Sequence, residues 1–131
     1  MIQSHKLKIM IVELSKSLKS ALKCIDKNQK GICFVTDNGK LKGVITDGDI
    51  RRALINGYHI DDPLVKIINK DYVSLMYGLP DDEIQKCLSD EIKFIPLIDK
   101  KGFLIDYASN TKFHNIPMAQ PMLDGNELAY V

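Results

Sequence analysis

The run Thr46-Asp47-Gly48-Asp49-Ile50-Arg51-Arg52 gathers side chains suited to a phosphorylated sugar. It follows the apolar positions Leu41, Val44 and Ile45, so it reads as a loop between a short strand and a helix beginning near Ile50. A helix start presents unpaired backbone N–H groups and the positive end of the helix dipole, which together favour phosphate. Gly48 lets the backbone approach a ligand closely. Thr46 offers a hydroxyl to a phosphate oxygen, and Arg51 and Arg52 sit where a guanidinium clamps the same group. Asp49 is an acceptor-only carboxylate, which suits a sugar diol. The plainer reading of the same residues is that Asp49 or Asp47 caps the helix and the arginines are solvated.

The surrounding elements must hold that loop in place. Asn38-Gly39 is a hairpin signal, because the favoured two-residue turn needs positive φ at both positions. Before it, Ile9–Val12 reads as a short apolar strand. A helix capped by Ser15 or Ser17 carries Leu18, Ala21, Leu22 and Ile25 on one face. Lys16, Lys19, Lys23 and Lys27 lie on the other, as a solvated face. Ile32–Val35 is continuously apolar, as in a strand buried on both sides. The helix after Asp49 ends near Asn56-Gly57, where glycine suits the position past a C-terminus.

Beyond Asp61-Asp62-Pro63 the order repeats. Val65–Ile68 and Tyr72–Leu75 are followed by a turn at 77–80. A helix capped by Asp81 or Asp82 then carries Ile84, Cys87 and Leu88. Phe94–Ile98 answers Ile32–Val35, and Asp99-Lys100-Lys101-Gly102 answers the first hairpin turn. Asp37 to Asp99 is an offset of 62, and Gly39 to Gly102 one of 63. Half-copies this small bury little alone, so the two are expected to share a core.

The segment Gly43-Val44-Ile45-Thr46-Asp47-Gly48-Asp49 resembles the Gly-hydrophobic-x-Thr/Ser-x-x-Asp signature that closes a CBS motif. The longer run through Arg52 is similar to the form found in sugar-phosphate isomerases and sugar nucleotidyltransferases that carry CBS pairs. The resemblance implies an α/β (α+β) fold of two pseudo-symmetric half-domains, each a small sheet with packed helices. It divides the chain into a lead-in at 1–6, a first motif at 7–60, a degenerate second motif at 61–113, and a linker with the start of a downstream domain at 114–131. It implies a nucleotide in the cleft between the halves, AMP, ADP or ATP in the first instance, with Thr46 on phosphate and Asp49 on ribose. By analogy the base rests near Ile9–Val12 and Gly31-Ile32. In the second copy Ser109 matches the hydroxyl and Lys112 stands where the ribose acceptor belongs. A lysine accepts no hydrogen bond, so one competent site is expected, with Ser109 and Lys112 at most assisting phosphate.

Residues 116–131 break the repeat. Pro117 and Pro121 favour an extended linker. The Ile-Pro…Pro…Gly-Asn-Glu…Tyr-Val pattern resembles the opening of a DegT-type, pyridoxal-phosphate-dependent sugar aminotransferase, and it ends part-way into a helical pattern. The expected partners are therefore a nucleotide or nucleotide-sugar, a second copy in a homodimer, and an attached catalytic domain, the only place where pyridoxal phosphate enters.

Composition narrows the alternatives. Eighteen basic against seventeen acidic residues, net +1, give no bulk field for nucleic acid or anionic membrane. No signal-peptide pattern and no long apolar run occurs, so a cytoplasmic setting is expected. Cys24, Cys33 and Cys87 form no CxxC pair and read as small core hydrophobes. His5, His59 and His114 are isolated, so no metal spacing arises, and no nucleophile or Gly-rich phosphate motif is present. The expectation is a regulatory nucleotide-sensing pair, not itself an enzyme, that modulates an attached sugar-modifying enzyme. The alternative is a structural dimerisation module with a vestigial nucleotide site.

Overall fold

A computed structural model of the chain describes residues 5–109. The order is α1 (His5–Lys8), β1 (Ile11–Glu13), α2 (Leu18–Asn28), β2 (Ile32–Asp37), β3 (Lys40–Thr46) and α3 (Asp47–Ile55). A 3-10 turn at Leu64–Lys66 leads to β4 (Leu75–Met76), α4 (Asp81–Cys87), β5 (Phe94–Ile98) and β6 (Leu104–Ser109). Two three-stranded sheets result, ordered β1-β2-β3 and β4-β5-β6. In each, the outer pair is parallel and the hairpin pair antiparallel.

The doubling is visible in the strand registers. Val12 pairs with Val35 and Leu75 with Leu97; Phe34 pairs with Val44 and Pro96 with Tyr107. Even the bulges correspond, falling after Val35 and after Leu97. Asn38 and Gly39 both have positive φ, 54° and 87°, as the hairpin turn requires.

Three apolar clusters hold the chain together. One packs Leu18, Ala21 and Ile25 of α2 and Ile50 of α3 on the first sheet. A second packs Ile84 of α4 on the second sheet. Between the sheets lies the shared core of Leu7, Met10, Phe34, Leu41, Val44, Leu104 and Tyr107. The expected packing of half on half is thus present. Backbone bonds stitch it: Val44 N–H donates to the Asn69 carbonyl at 3.0 Å and Asn69 N–H donates back at 2.8 Å. Leu41 and Leu104 N–H groups likewise bond the Gly102 and Gly39 carbonyls, both at 3.0 Å.

Several local expectations need correction. The lead-in includes a short helix, and Leu7 is fully buried because it fills the inter-sheet core. The first strand covers Ile11–Glu13 instead of Ile9–Val12. The cap of α3 is Thr46, so the helix starts at Asp47, three residues before Ile50. The cap of α4 is Pro80; Asp81 and Asp82 lie in the first turn, where their charge favours the dipole. The segment opening the second copy packs backwards. Leu64, with Ile67 and Ile68 against it, belongs to the core of the first half, and the Ile60 and Asp62 carbonyls accept from Lys19 and Leu18 N–H.

Candidate functional site

Thr46 ends β3 and begins α3 in one residue, with extended φ and ψ of −108° and 166°. Its Oγ1 accepts from the Asp49 N–H at 3.1 Å, and its own N–H donates to Asp49 Oδ2 at 3.0 Å. This reciprocal cap satisfies two orphan donors of the helix start. The other carboxylate oxygen, Oδ1, accepts from Arg52 Nη2 at 2.6 Å. Arg51 pairs with Asp47 at 2.9 Å. The Arg52 guanidinium lies over Gly48, 3.4 Å from where a Cβ would stand. The Asp47 N–H donates to the Gly31 carbonyl at 2.9 Å, which ties the helix start to the beginning of β2.

A cavity of about 430 Å³ opens between the halves beside this corner. Its first wall is Lys30, Gly31 and Ile32 entering β2, with Val44 and Thr46 of β3. The facing wall is Asn69, Asp71, Tyr72 and Val73, from the segment that opens the second copy. Glu91–Phe94 and Pro96, leading into and along β5, close the end. The size falls in the range of small-molecule sites, and the lining is mostly apolar with a few polar groups. Asn69 is fixed by its two-way bond to Val44, and its Oδ1 accepts from Asp71 N–H at 2.9 Å. Among the described residues the Asp71 carboxylate has no hydrogen bond or ion pair. Burial pushes the Tyr72 phenol up, so it stays a neutral donor at physiological pH.

The sequence-expected residues separate in space. Gly31, Ile32 and Thr46 line the cleft. Asp47 lines a neighbouring groove with Gly31 and the α2 residues Lys23 and Asp26. Gly48, Asp49, Arg51 and Arg52 stand behind Thr46 and do not line the cleft themselves. Ser109 is register-equivalent to Thr46, since Ile32 pairs with Thr46 and Phe94 with Ser109. It is only 4% exposed and has no place on the cleft wall. Lys112 lies outside the described residues.

Ile9–Val12, the expected base platform, do not line this cleft. Ile9, Ile11 and Val12 line a different groove with Lys23, Cys24 and Lys27. The cause is sheet order: β1 is the edge away from β3, and β3 is the strand against Asn69. With the offset of 63, the counterparts of Ile9 and Met10 are Tyr72 and Val73, which do line the cleft. The site therefore joins the strands of one half to the entry segment of the other. Asp71, Tyr72 and Lys93 escaped sequence reasoning because only this crossing brings them beside Thr46. The repeat offset itself was the signal that pointed to them.

Among the described residues no group of three His, Cys, Asp or Glu is placed to hold a metal. Cys33 is buried, and Cys24 and Cys87 are partly so. The Cys24 Sγ lies 3.2 Å from the Ile9 carbonyl, and contact with the Cys24 thiol, then burial, push the Cys33 thiol far up. No described helix is long and apolar enough to cross a membrane.

Two packed half-domains flank this cleft, the architecture that solved CBS-domain proteins share. Residues 5–56 match the CBS domain family model. A chain of the CbpB protein of Listeria monocytogenes, solved in complex with c-di-AMP, superposes with a TM-score of 0.69 at 22% identity, covering 86% of each chain. A CBS domain protein of Pyrobaculum aerophilum complexed with AMP gives 0.64 at 17% identity, covering 82% of this chain and 85% of that one. These likenesses show the fold. Inosine-5'-monophosphate dehydrogenase of Nitrosopumilus maritimus is 30% identical over 112 residues, covering 79% of this chain. The chain spans 22% of the length of that relative.

The cap yields a prediction independent of any ligand. Asp49→Ala is expected to lower stability by about 1 kcal/mol through loss of the reciprocal cap, with the fold retained. Thermal melting checks this.

Proposed function

We propose that the chain is a nucleotide-sensing regulatory module that binds an adenine nucleotide in the cleft between its halves. The observation that carries the reading is the cleft itself, in which Thr46 of one half faces Asp71 and Tyr72 of the other. Thr46 Oγ1 accepts from the cap, which leaves its O–H to donate to a phosphate oxygen. Lys30 and Lys93 line the same cavity, as do the carboxylates of Asp71 and Glu91, so two cations are at hand for phosphate without a net positive field. Ile32, Val44 and Phe94 offer an apolar bed for a base. The naming of AMP and c-di-AMP in structures of the same fold supports an adenine ligand.

Asp49 enters this reading through exchange. Its Arg52 partner is 69% exposed, and such surface pairs contribute at most about 1 kcal/mol. Asp49 lies outside the cleft lining, so a ribose hydroxyl reaches Oδ1 only by taking the place of Arg52, while Oδ2 keeps the cap.

A ligand that touches both walls favours one arrangement of the halves over another. That differential contact is what a sensor requires if it is to act on an attached or associated enzyme. The dehydrogenase relative supports a catalytic partner of this kind. A sugar-modifying partner rests on the resemblance of the Thr46–Arg52 run and on residues 116–131, which lie outside the described residues, and is kept as the narrower form of the proposal. The dimerisation reading has its own observation: Ile55 is 81% exposed beside Leu54 on α3.

Thermal melting with AMP, ATP and c-di-AMP separates the readings. A ligand at 100 times its dissociation constant adds about 2.7 kcal/mol of stability. No shift with any adenine nucleotide overturns the sensor and leaves the dimerisation module. Thr46→Val should weaken AMP more than adenosine, measured by calorimetry. Equal weakening would remove the phosphate role of Thr46.

A further inference from the structure

The repeat creates a second cleft by pseudo-symmetry, built from β5 and β6 of the second half and the entry segment of the first. Its lining follows from the registers. Phe34 pairs with Val44, and Pro96 pairs with Tyr107. The open cleft is walled by Val44 and Pro96, so the equivalent positions of the second cleft are Tyr107 and Phe34. Two small residues are replaced there by two large aromatics. Their rings meet at 5.9 Å and 51°, and Phe94 adds a third ring 6.2 Å from Tyr107. Phe34 is fully buried and Tyr107 is 5% exposed. Leu7 and Met10, at the first half's entry segment, are buried against them. Ser109, the counterpart of Thr46, is closed off at the end of β6.

Resting on the nucleotide reading above, we infer that Tyr107 and Phe34 plug the second cleft, so that each chain takes a single nucleoside unit. The asymmetry of the pair is then steric before it is chemical. Even a second copy with a complete ribose and phosphate signature would stay empty while these rings fill the space a base needs. Tyr107 also suits burial, since desolvation, with the Asp106 charge second, pushes its phenol up and keeps it neutral. The ligand class follows: a nucleoside with its own phosphates fits one chain, whereas a dinucleotide finds room for one of its two bases.

The test is binding stoichiometry by calorimetry with AMP and with adenosine, on the wild type and on Tyr107→Val, which copies the residue of the open cleft. The wild type is expected to bind one equivalent of either ligand per chain. Folded Tyr107→Val is expected to bind two equivalents of adenosine, the second more weakly, because the new space lacks phosphate groups. If Tyr107→Val fails to fold, Phe34→Val removes the other ring and carries the same expectation. Two equivalents in the wild type, or one in the folded variants, would overturn the plug and leave the nucleotide reading intact. No binding of either ligand to any form would overturn the nucleotide reading, and the plug inference with it.

Discussion

Gly43→Val is expected to lower the stability of the chain by about 3 kcal/mol, at the upper end of what overpacking a filled interior costs. A Cβ on Gly43 would stand 2.9 Å from the Asn69 carbonyl oxygen and 3.0 Å from Ile68 Cδ1. The first of these is backbone, and it cannot retreat freely. Asn69 is held to Val44 through both its N–H and its carbonyl, so relief of the clash breaks two hydrogen bonds. It also moves Asp71 and Tyr72 away from Thr46. Chemical denaturation should show a lower midpoint, and AMP binding should fall with it. A Gly43→Val protein of wild-type stability would mean that the two halves are not locked at this seam.

Leu64→Ala is expected to cost about 2–5 kcal/mol, the range for truncating a fully buried leucine. Leu64 is 0% exposed although it lies in the connection between the motifs. Its side chain packs with Leu18, Ala21, Ile45 and Ile50 in the core of the first half. The adjacent Val65 is 45% exposed, so Val65→Ala should stay within about 0.5 kcal/mol of wild type. Urea denaturation of the two variants side by side decides the matter. Equal, small losses would show that the connection is not part of the first core.

These two expected results concern the same feature, the reach of each half into the other. A ligand that touches both walls of the cleft bears on that joint. Gly43 and Leu64 set how firmly the entry segment of the second half is seated on the first. A loosened joint is expected to weaken nucleotide binding before it unfolds the chain, because the cleft wall at Asn69–Val73 is held to the first half by the Val44–Asn69 bonds.

Much of the fold was legible because its determinants are local. Alternation and apolar runs mark Ile32–Val35 and Phe94–Ile98, and Asn38-Gly39 can close only a tight hairpin. The doubling was legible because a repeat offset of 62–63 residues survives in the turns. Helix starts were less legible. Thr46, Asp47 and Asp49 are all acceptable caps by type, and only the extended backbone at Thr46 decides among them.

By itself, the order of residues determined two half-copies and a strand-to-helix corner at Thr46. Each of these depends on neighbours a few positions apart, or on self-similarity of the chain. Tertiary structure alone decided that Tyr72 rather than Ile9 faces Thr46, that Arg52 already occupies Asp49, and that Tyr107 meets Phe34 across the pseudo-symmetric cleft. The physical reason is that side chains far apart in sequence share a cavity only after the halves cross. Which cleft remains open is then a matter of volume, and volume belongs to the packed molecule.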